Sequence, residues 1–208
     1  MKRRDFLKLS AGAAAMWPLV GFGGEQQEHA KLDGITLYDT QQQFVDCKAR
    51  IKAMIGGRAS GLTFAGGFNL RHHARNRGLY WAIGVDRNAL RYMIVPSLKR
   101  VDGHPTKWQH LNSYFMTGRI RTRDGGHAHV VCMTANDAMS ILGQFAENRN
   151  LRTLFVDGVW IDDASRINIK HFGAAIIMLH RYQSKDGWIA LTLSPSSTSH
   201  WTYGVCQD

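Results

Sequence analysis

Two histidines, one residue apart, form the sharpest chemical pattern in the chain. His127 and His129 flank Ala128 and are followed by β-branched residues, which favours a strand. Residues i and i+2 of a strand point to the same side, so both imidazoles could approach one cation. Histidine nitrogens bind zinc at about 2.0–2.1 Å, which requires such convergence. The pair therefore predicts a divalent transition metal, zinc or copper, as cofactor.

A metal at this pair needs further ligands. We predict a set made of His127, His129, His104 and Asp137, because His104 precedes the strand and Asp137 follows it. Such a centre would suit a metal-dependent hydrolase, although the sequence does not decide whether the protein is an enzyme. The alternative is a polar strand face whose imidazoles bind water. Other histidines that could complete the set are His72, His73, His110 and His180.

Other catalytic patterns are weaker. Cys47 or Cys132 could act as a nucleophile with a histidine base, whereas no serine lies in a Gly-x-Ser-x-Gly sequence. The glycine pairs at 56–57, 66–67 and 125–126 are not followed by Gly-Lys-Ser/Thr, so no phosphate-binding loop is predicted.

Paired carboxylates for glycoside chemistry would have to come from Asp157, Asp162, Asp163 or Glu147, and of these Asp162 and Asp163 are adjacent. We interpret them instead as a signal for a loop or a helix start.

The N-terminus combines a cationic head with an uncharged segment, Leu9 to Gly24. This pattern is typical of an export signal. The residues Arg3, Arg4, Phe6 and Leu7 resemble the recognition motif of the twin-arginine (Tat) signal peptide. The resemblance implies that residues 1–24 are a signal read by the Tat translocase. It also implies a bacterial protein that folds before export to the periplasm or cell envelope, often with a bound metal.

Positive charge is concentrated in the middle of the chain. The net charge is +10, and residues 71–124 hold eleven Lys/Arg against three Asp. For an exported protein this charge favours an anionic envelope component or a partner protein, and no nucleic acid is expected. The alternative function is thus a non-catalytic binding module that uses a basic surface at Arg119, Arg121 and Arg123.

The three cysteines are Cys47, Cys132 and Cys206. An oxidising compartment favours one disulfide, and we prefer the Cys132–Cys206 pair.

Periodicity and turn residues predict two helices and three hairpins. The helices run over 40–55 and from Thr134 or Asn136 to about 148. Single strands are expected at 35–38, 61–68 and 151–161. The predicted hairpins are 79–85 with 90–96, 111–121 with 127–133, and 173–182 with 188–194.

These elements together predict one α+β domain over residues 25–208. Its largely antiparallel sheet would be built from hairpins, with the two helices packed on it. No segment after residue 24 is apolar for long enough to cross a bilayer, so no transmembrane segment is expected in the mature chain.

Overall fold

The fold is built on one seven-stranded sheet. A computed structural model describes residues 34–57, 59–102, 109–110, 116–138, 140, 156–168, 170, 187–194 and 199–202. The strands are β1 (Ile51–Ile55), β2 (Leu79–Gly84), β3 (Gln109–His110), β4 (Met116–Arg121), β5 (His127–Thr134), β6 (Gly158–Asp162) and β7 (Trp188–Leu193).

The sheet is mixed and mostly parallel. Its order is β1-β7-β6-β2-β5-β4-β3, and the first five strands in this order are mutually parallel. Only β4 and β3 run antiparallel to their neighbours, at one edge. The carboxyl ends of β1, β6, β7 and β2 therefore meet at the same edge of the sheet, which is where α/β proteins bind their ligands.

Helices flank strands β1 and β2 along the chain. Helix α1 (Asp39–Asp46) precedes β1, and helix α2 (Leu62–His73) connects β1 to β2. After β2 the chain forms a helical segment of three parts: α3 (Arg87–Ala89), a π-helical turn (Leu90–Ile94) and α4 (Val95–Asp102). Among the described residues, no helix combines the length and the apolar composition that a bilayer span requires.

Both faces of the sheet are buried. Tyr80 and Trp160 belong to one core cluster, which includes Phe68 of α2, whereas Trp81 and Ile161 belong to a second cluster. Adjacent residues of one strand thus enter opposite cores. Strands with two covered faces have nearly continuous apolar sequences rather than alternating ones.

The predicted fold class was wrong: the protein is α/β, with a mostly parallel sheet, and not a set of antiparallel hairpins. Residues 188–194 were assigned to a hairpin, yet β7 lies between β1 and β6 and is parallel to both. All six residues of β7 are buried. A fully buried apolar run of this kind indicates a central strand, whereas the hairpin prediction depended on the turn residues before it.

Three local predictions also need correction. The helix predicted at 40–55 ends at Asp46, and its last apolar residues form β1. Residues 61–68, predicted as a strand, belong to α2, and residues 90–96, predicted as the second strand of a hairpin, are helical. Short runs rich in apolar residues, such as 51–55, 61–68 and 90–96, do not show by periodicity whether they form a strand or a helix.

The hairpin predicted from 111–121 and 127–133 is confirmed for its described part. Strands β4 and β5 pair antiparallel, with Arg121 opposite His127. The turn contains Gly125 at a φ of +79°, which favours glycine. The Thr122 amide donates to the Gly126 carbonyl at 2.9 Å, closing the turn.

Cys132 is a free and fully buried thiol, so the expected Cys132–Cys206 bridge is not formed. Cys47 is also free.

Three predicted segments lie outside the described residues: the signal at 1–24, the strand at 173–182 and most of the helix up to residue 148. The Tat resemblance and the periplasmic location stay predictions.

Candidate functional site

A glycine-bearing loop joins β1 to α2 at the carboxyl edge of the sheet. Its sequence, Gly56-Gly57-Arg58-Ala59-Ser60-Gly61-Leu62-Thr63, matches the phosphate-binding pattern G-x-x-x-x-G-K-[ST] at both glycines and at the threonine. Leucine stands where the pattern has lysine. We excluded a phosphate-binding loop from the sequence because that lysine is missing. In the structure the loop lies between a parallel strand and a helix, which is the setting in which this pattern occurs.

The loop is compact and depends on its glycines. The Ser60 hydroxyl donates to the Gly57 carbonyl at 2.7 Å. A Cβ on Gly56 would lie 2.5 Å from Ser60 Oγ, and one on Gly61 would lie 2.6 Å from Gln41 Nε2. Gly61 also has a φ of +76°, and Ala59 a φ of +64°. A larger residue at Gly56 or Gly61 would therefore displace the Ser60 or Gln41 side chain from its present position, and at Gly61 it would also strain the backbone.

Gln41 of α1 holds the loop against the start of its own helix. Its side chain is only 3% exposed, and its Nε2 donates to the Ser60 carbonyl at 3.3 Å. Its Oε1 accepts a hydrogen bond from the Tyr38 amide at 3.2 Å. The loop and the start of α1 are thus held together, with the Tyr38 ring left 78% exposed.

The first turn of α2 contacts the end of β6 through two side chains. Thr63 Oγ1 donates to Asp162 Oδ2 at 3.0 Å, and Thr192 Oγ1 of β7 donates to Asp162 Oδ1 at 2.7 Å. Trp160 Nε1 in turn donates to Thr192 Oγ1 at 3.0 Å. One carboxylate therefore links the helix that follows the loop to the two neighbouring strands.

Asp162 is a buried acid without a cationic partner. Burial raises its pKa to about 6, and the hydrogen bonds from Thr192 and Thr63 only partly oppose this rise. In the described part of the chain, no Lys, Arg or His lies within ion-pair distance of it. A carboxylate and a hydroxyl oxygen are ligands that Mg²⁺ prefers. The donor set at Thr63 and Asp162 thus fits a hard divalent cation.

Leu62 fills its position with an apolar side chain. It is half-buried and packs against the larger core cluster. Its methyl group Cδ2 lies 3.3 Å from where a Cβ on Gly56 would be. The loop therefore has no ammonium group at the position where the phosphate-binding pattern has lysine.

Asp163, directly after Asp162, adopts a φ of +53°. Its carboxylate accepts from Ser165 Oγ at 3.1 Å and from Arg166 Nη1 at 3.4 Å. This geometry turns the second carboxylate away from the Asp162 network and into the 3₁₀ turn Ala164–Arg166.

The predicted metal ligands are not brought together. His127 and His129 are exposed on β5. Asp137 instead accepts a hydrogen bond from Thr134 Oγ1 at 2.6 Å, and His104 lies outside the described residues. Within the described ranges, no group of three His, Cys, Asp or Glu side chains could hold a metal ion. The His127/His129 ligand set stays a prediction without structural support.

The predicted basic surface lies on the β4–β5 hairpin. Arg119 and Arg123 are exposed, whereas Arg121 is half-buried. The Arg121 amide donates to Asp102 Oδ1 at 2.8 Å, which ties the hairpin to α4. Arg119 is the cross-strand neighbour of His129. The histidine pair and the exposed arginines thus share one positively charged hairpin.

Comparison with known proteins supports the fold. No family model matches the sequence, and no curated protein does. The structure is similar to the large terminase of a thermophilic bacteriophage, at 14% identity and a TM-score of 0.57, over 78% of this chain and 40% of that one. It is also similar to the large terminase ATPase domain of Thermus phage P74-26, at 20% identity and a TM-score of 0.56, over 82% and 69%.

The HK97 bacteriophage large terminase gives a TM-score of 0.55 at 8% identity, over 81% of this chain and 36% of that one. The chain spans about 40% of the length of the terminase from the thermophilic bacteriophage described above. The likeness corrects two expectations from the sequence. A histidine-ligated metal-binding protein or metal-dependent hydrolase was the wrong function, and the Tat translocase with no nucleic acid was the wrong set of partners. The chain has the fold of the ATPase domain of large terminases.

Proposed function

We propose that this chain is a nucleotide-binding domain of the DNA-packaging ATPase type, which binds a magnesium–nucleotide complex at the loop between β1 and α2. The observation that carries the proposal is the contact between Thr63 and Asp162, placed directly after a glycine loop at the carboxyl edge of a parallel sheet. The terminase-like fold supports the same assignment.

The loop would hold the phosphate groups through its backbone. The first N–H groups of a helix have no intrahelical partners, and together with the helix dipole they attract anions. Gly61, at a φ of +76°, lets the backbone turn directly into α2. Phosphate binding of this kind does not depend on a charged side chain.

Thr63 and Asp162 would hold the magnesium ion. Such an ion neutralises charge that develops on the transferred phosphoryl group. The buried carboxylate also gains from a cation, because burial disfavours its ionised form. Thr192 would keep the carboxylate oriented through its 2.7 Å hydrogen bond.

Leu62 limits the nucleotide binding and hydrolysis that we propose for the domain. Without an ammonium group at the β- and γ-phosphates, charge in the transition state is less well stabilised. We therefore expect nucleotide binding of modest affinity and slow hydrolysis. The domain would act by nucleotide-dependent binding rather than as a fast motor.

Tyr38 offers a surface for the nucleotide base. Its ring is 78% exposed, and its backbone is bonded to Gln41, which also contacts the loop at Ser60. An exposed aromatic ring beside a phosphate loop can stack on a base. Tyr38→Ala should accordingly weaken nucleotide binding without removing it.

Duplex DNA is the proposed partner. Arg119 and Arg123 are exposed on the β4–β5 hairpin, beside the exposed His127 and His129. A basic surface of this kind contacts phosphates without reading sequence. The DNA-packaging role rests on the likeness to terminases together with this charge.

Calorimetric titration of the purified chain with ATP and MgCl₂ tests the nucleotide site. We expect binding that is lost in Thr63→Ala and in Asp162→Asn, because both remove a magnesium ligand. Ser165→Ala is the matched control, since the Ser165 hydroxyl donates to the neighbouring Asp163 and not to Asp162. Binding that survives both site variants, or no binding by the wild type, contradicts the proposal.

DNA binding is tested by fluorescence anisotropy with a labelled duplex of about 20 base pairs. Affinity should fall steeply with salt concentration. The double variant Arg119→Gln, Arg123→Gln should bind more weakly and show a shallower salt dependence, whereas Lys99→Gln on the exposed side of α4 should not. An unchanged salt slope in the double variant removes the hairpin as the DNA surface.

A further inference from the structure

A cavity lies at the amino-terminal end of the parallel strands, opposite the end that carries the glycine loop. It has a volume of about 620 Å³ and opens where β1, β2, β6 and β7 begin. A cavity of this size suits a small ligand. It is separated from Asp162 by the length of a five-residue strand, which is about 17 Å. The cavity is therefore distinct from the nucleotide site.

Its lining carries an excess of positive charge. Among the described residues, Lys48, Arg50, Lys52 and Arg75 line it, against one carboxylate, Asp157. That carboxylate is engaged, because its Oδ2 accepts a hydrogen bond from the Leu79 amide at 2.9 Å. The cationic side chains of the lining thus outnumber the acid four to one.

Lys52 is the deepest of these cations. It is only 2% exposed, and its Nζ lies 3.1 Å and 2.9 Å from the carbonyl oxygens of Val45 and Cys47. Burial lowers the pKa of Lys52 to about 8, although Cys47 and Asp46 favour its charged form. Within the described ranges, no carboxylate lies within ion-pair distance of this ammonium group.

Two histidines extend the wall. The His73 Nε2 lies 3.2 Å from Lys52 Nζ, and the His72 and His73 rings lie 5.0 Å apart. The His72 Nδ1 is buried and has no hydrogen-bond partner in the described part of the chain. Trp188 closes the wall, with its ring 6.0 Å from that of His73. One buried polar atom without a recorded partner, His72 Nδ1, thus lies in a wall whose described residues include one carboxylate.

From this juxtaposition we infer that the cavity binds the phosphate group of a phosphorylated ligand, with Lys48, Arg50 and Lys52 as its cationic contacts. An anion there would neutralise a buried ammonium group, which is otherwise unfavourable in low dielectric. Arg50 is already oriented, since its Nε donates to the Gly187 carbonyl at 3.0 Å while its guanidinium carries further N–H groups that can contact a phosphate. The phosphate could belong to a free small molecule or to a strand end of nucleic acid.

Calorimetry with pyrophosphate and with inorganic phosphate, in buffer free of metal ions, tests the cavity. We expect one equivalent of pyrophosphate to bind, and Lys48→Gln or Lys52→Met to weaken it about tenfold, as expected for loss of one hydrogen bond to a charged group. Lys48 is exposed, so its variant should fold even where Lys52→Met does not. Lys99→Gln is the matched control.

Thr63→Ala separates this site from the nucleotide site. It should leave pyrophosphate binding unchanged, so the cavity can stand even if the nucleotide proposal fails. Three outcomes overturn the inference. They are loss of all pyrophosphate binding in Thr63→Ala, equal affinity for pyrophosphate in the wild type and both lysine variants, and no pyrophosphate binding by the wild type. The source of the phosphate is tested with a 5′-phosphorylated duplex and its unphosphorylated form. If the wild type binds the phosphorylated duplex more tightly and Lys52→Met binds both equally, the phosphate belongs to a nucleic acid end. Equal binding of the two duplexes assigns it to a small molecule.

Discussion

The hydroxyl of Thr63 donates a 3.0 Å hydrogen bond to Oδ2 of Asp162, although 99 residues separate the two in the chain. Thr63 stands in the first turn of α2, directly after the glycine loop, and Asp162 is the last residue of β6. The other carboxylate oxygen of Asp162 is held by Thr192. This arrangement places the proposed cation ligands where the loop, the helix and two parallel strands meet.

Replacing Leu62 with lysine should strengthen nucleotide binding. The variant restores the cation of the phosphate-loop pattern, and a charge-assisted hydrogen bond of about 1.5–3 kcal/mol corresponds to roughly tenfold or more in affinity. We expect Leu62→Lys to bind ATP with magnesium at least about tenfold more tightly than the wild type and to hydrolyse it faster. Titration calorimetry and phosphate release measure both effects.

Leu62→Met controls for the loss of leucine packing in that experiment. It keeps an apolar side chain of similar volume, so it should leave affinity unchanged. If Leu62→Lys folds normally and binds nucleotide no better than Leu62→Met, the loop does not bind phosphate groups.

The stability of the fold should depend on the titration of Asp162. Burial raises its pKa from 3.8 to about 6, so the folded state holds a proton that the unfolded state has lost between these two values. The contribution of this acid to stability is full below about pH 4 and is lost as the pH rises to about 6. The whole loss is about 3 kcal/mol at about 1.36 kcal/mol per pKa unit.

Urea unfolding between about pH 4 and 7 measures this effect as a difference between two proteins. Asp162→Asn cannot titrate, so its free energy of unfolding should rise relative to the wild type as the pH increases over this range. His72 titrates in the same range with the opposite sign, because burial lowers its pKa to about 4. The contribution of His72 to the free energy of unfolding is the same in both proteins, so it cancels in their difference. A constant difference across the range would show that Asp162 has an ordinary pKa.

Gly66 should not tolerate alanine. A Cβ at this position in α2 would lie 2.2 Å from the ring of Trp160, which is itself bonded to Thr192. Overpacking of a core costs about 1–3 kcal/mol, which exceeds the helix propensity of about 1 kcal/mol gained by replacing glycine. We expect Gly66→Ala to lower the free energy of unfolding and the melting temperature.

Gly57→Ala is the comparison for Gly66→Ala. Among the described residues outside its chain neighbours, none lies within 4 Å of its added Cβ, so we expect a change of less than about 0.5 kcal/mol. Equal stability of the two variants, measured by thermal unfolding, would contradict the close packing of α2 on β6.

Lys52 should make the protein more stable in alkaline solution. Burial lowers its pKa from 10.5 to about 8, so between these values the folded state has released a proton that the unfolded state still holds. The free energy of unfolding should therefore rise between these two pH values, by about 3 kcal/mol from this residue. The rise should disappear in Lys52→Met and persist in Lys99→Met. Identical pH slopes in all three proteins would place Lys52 in contact with water.

Some features of this protein follow from local sequence alone. The β4–β5 hairpin was predicted correctly, because its Asp-Gly turn and paired strands are neighbours in the chain. The start of α1 was predicted at residue 40, one residue after its first residue, Asp39. The positive charge around Arg119 and Arg123 was also evident, although the sequence did not indicate which partner it meets.

Other features were decided only by tertiary structure. Strand β7 pairs with β1, which places Ile189 opposite Ile51 from the first third of the chain, so no local pattern distinguishes a parallel central strand from half of a hairpin. Asp162 was interpreted as a loop signal, because its role depends on Thr63 and Thr192, which approach it from distant elements. A carboxylate acquires its chemistry from burial and neighbours, and these exist only after the sheet has assembled.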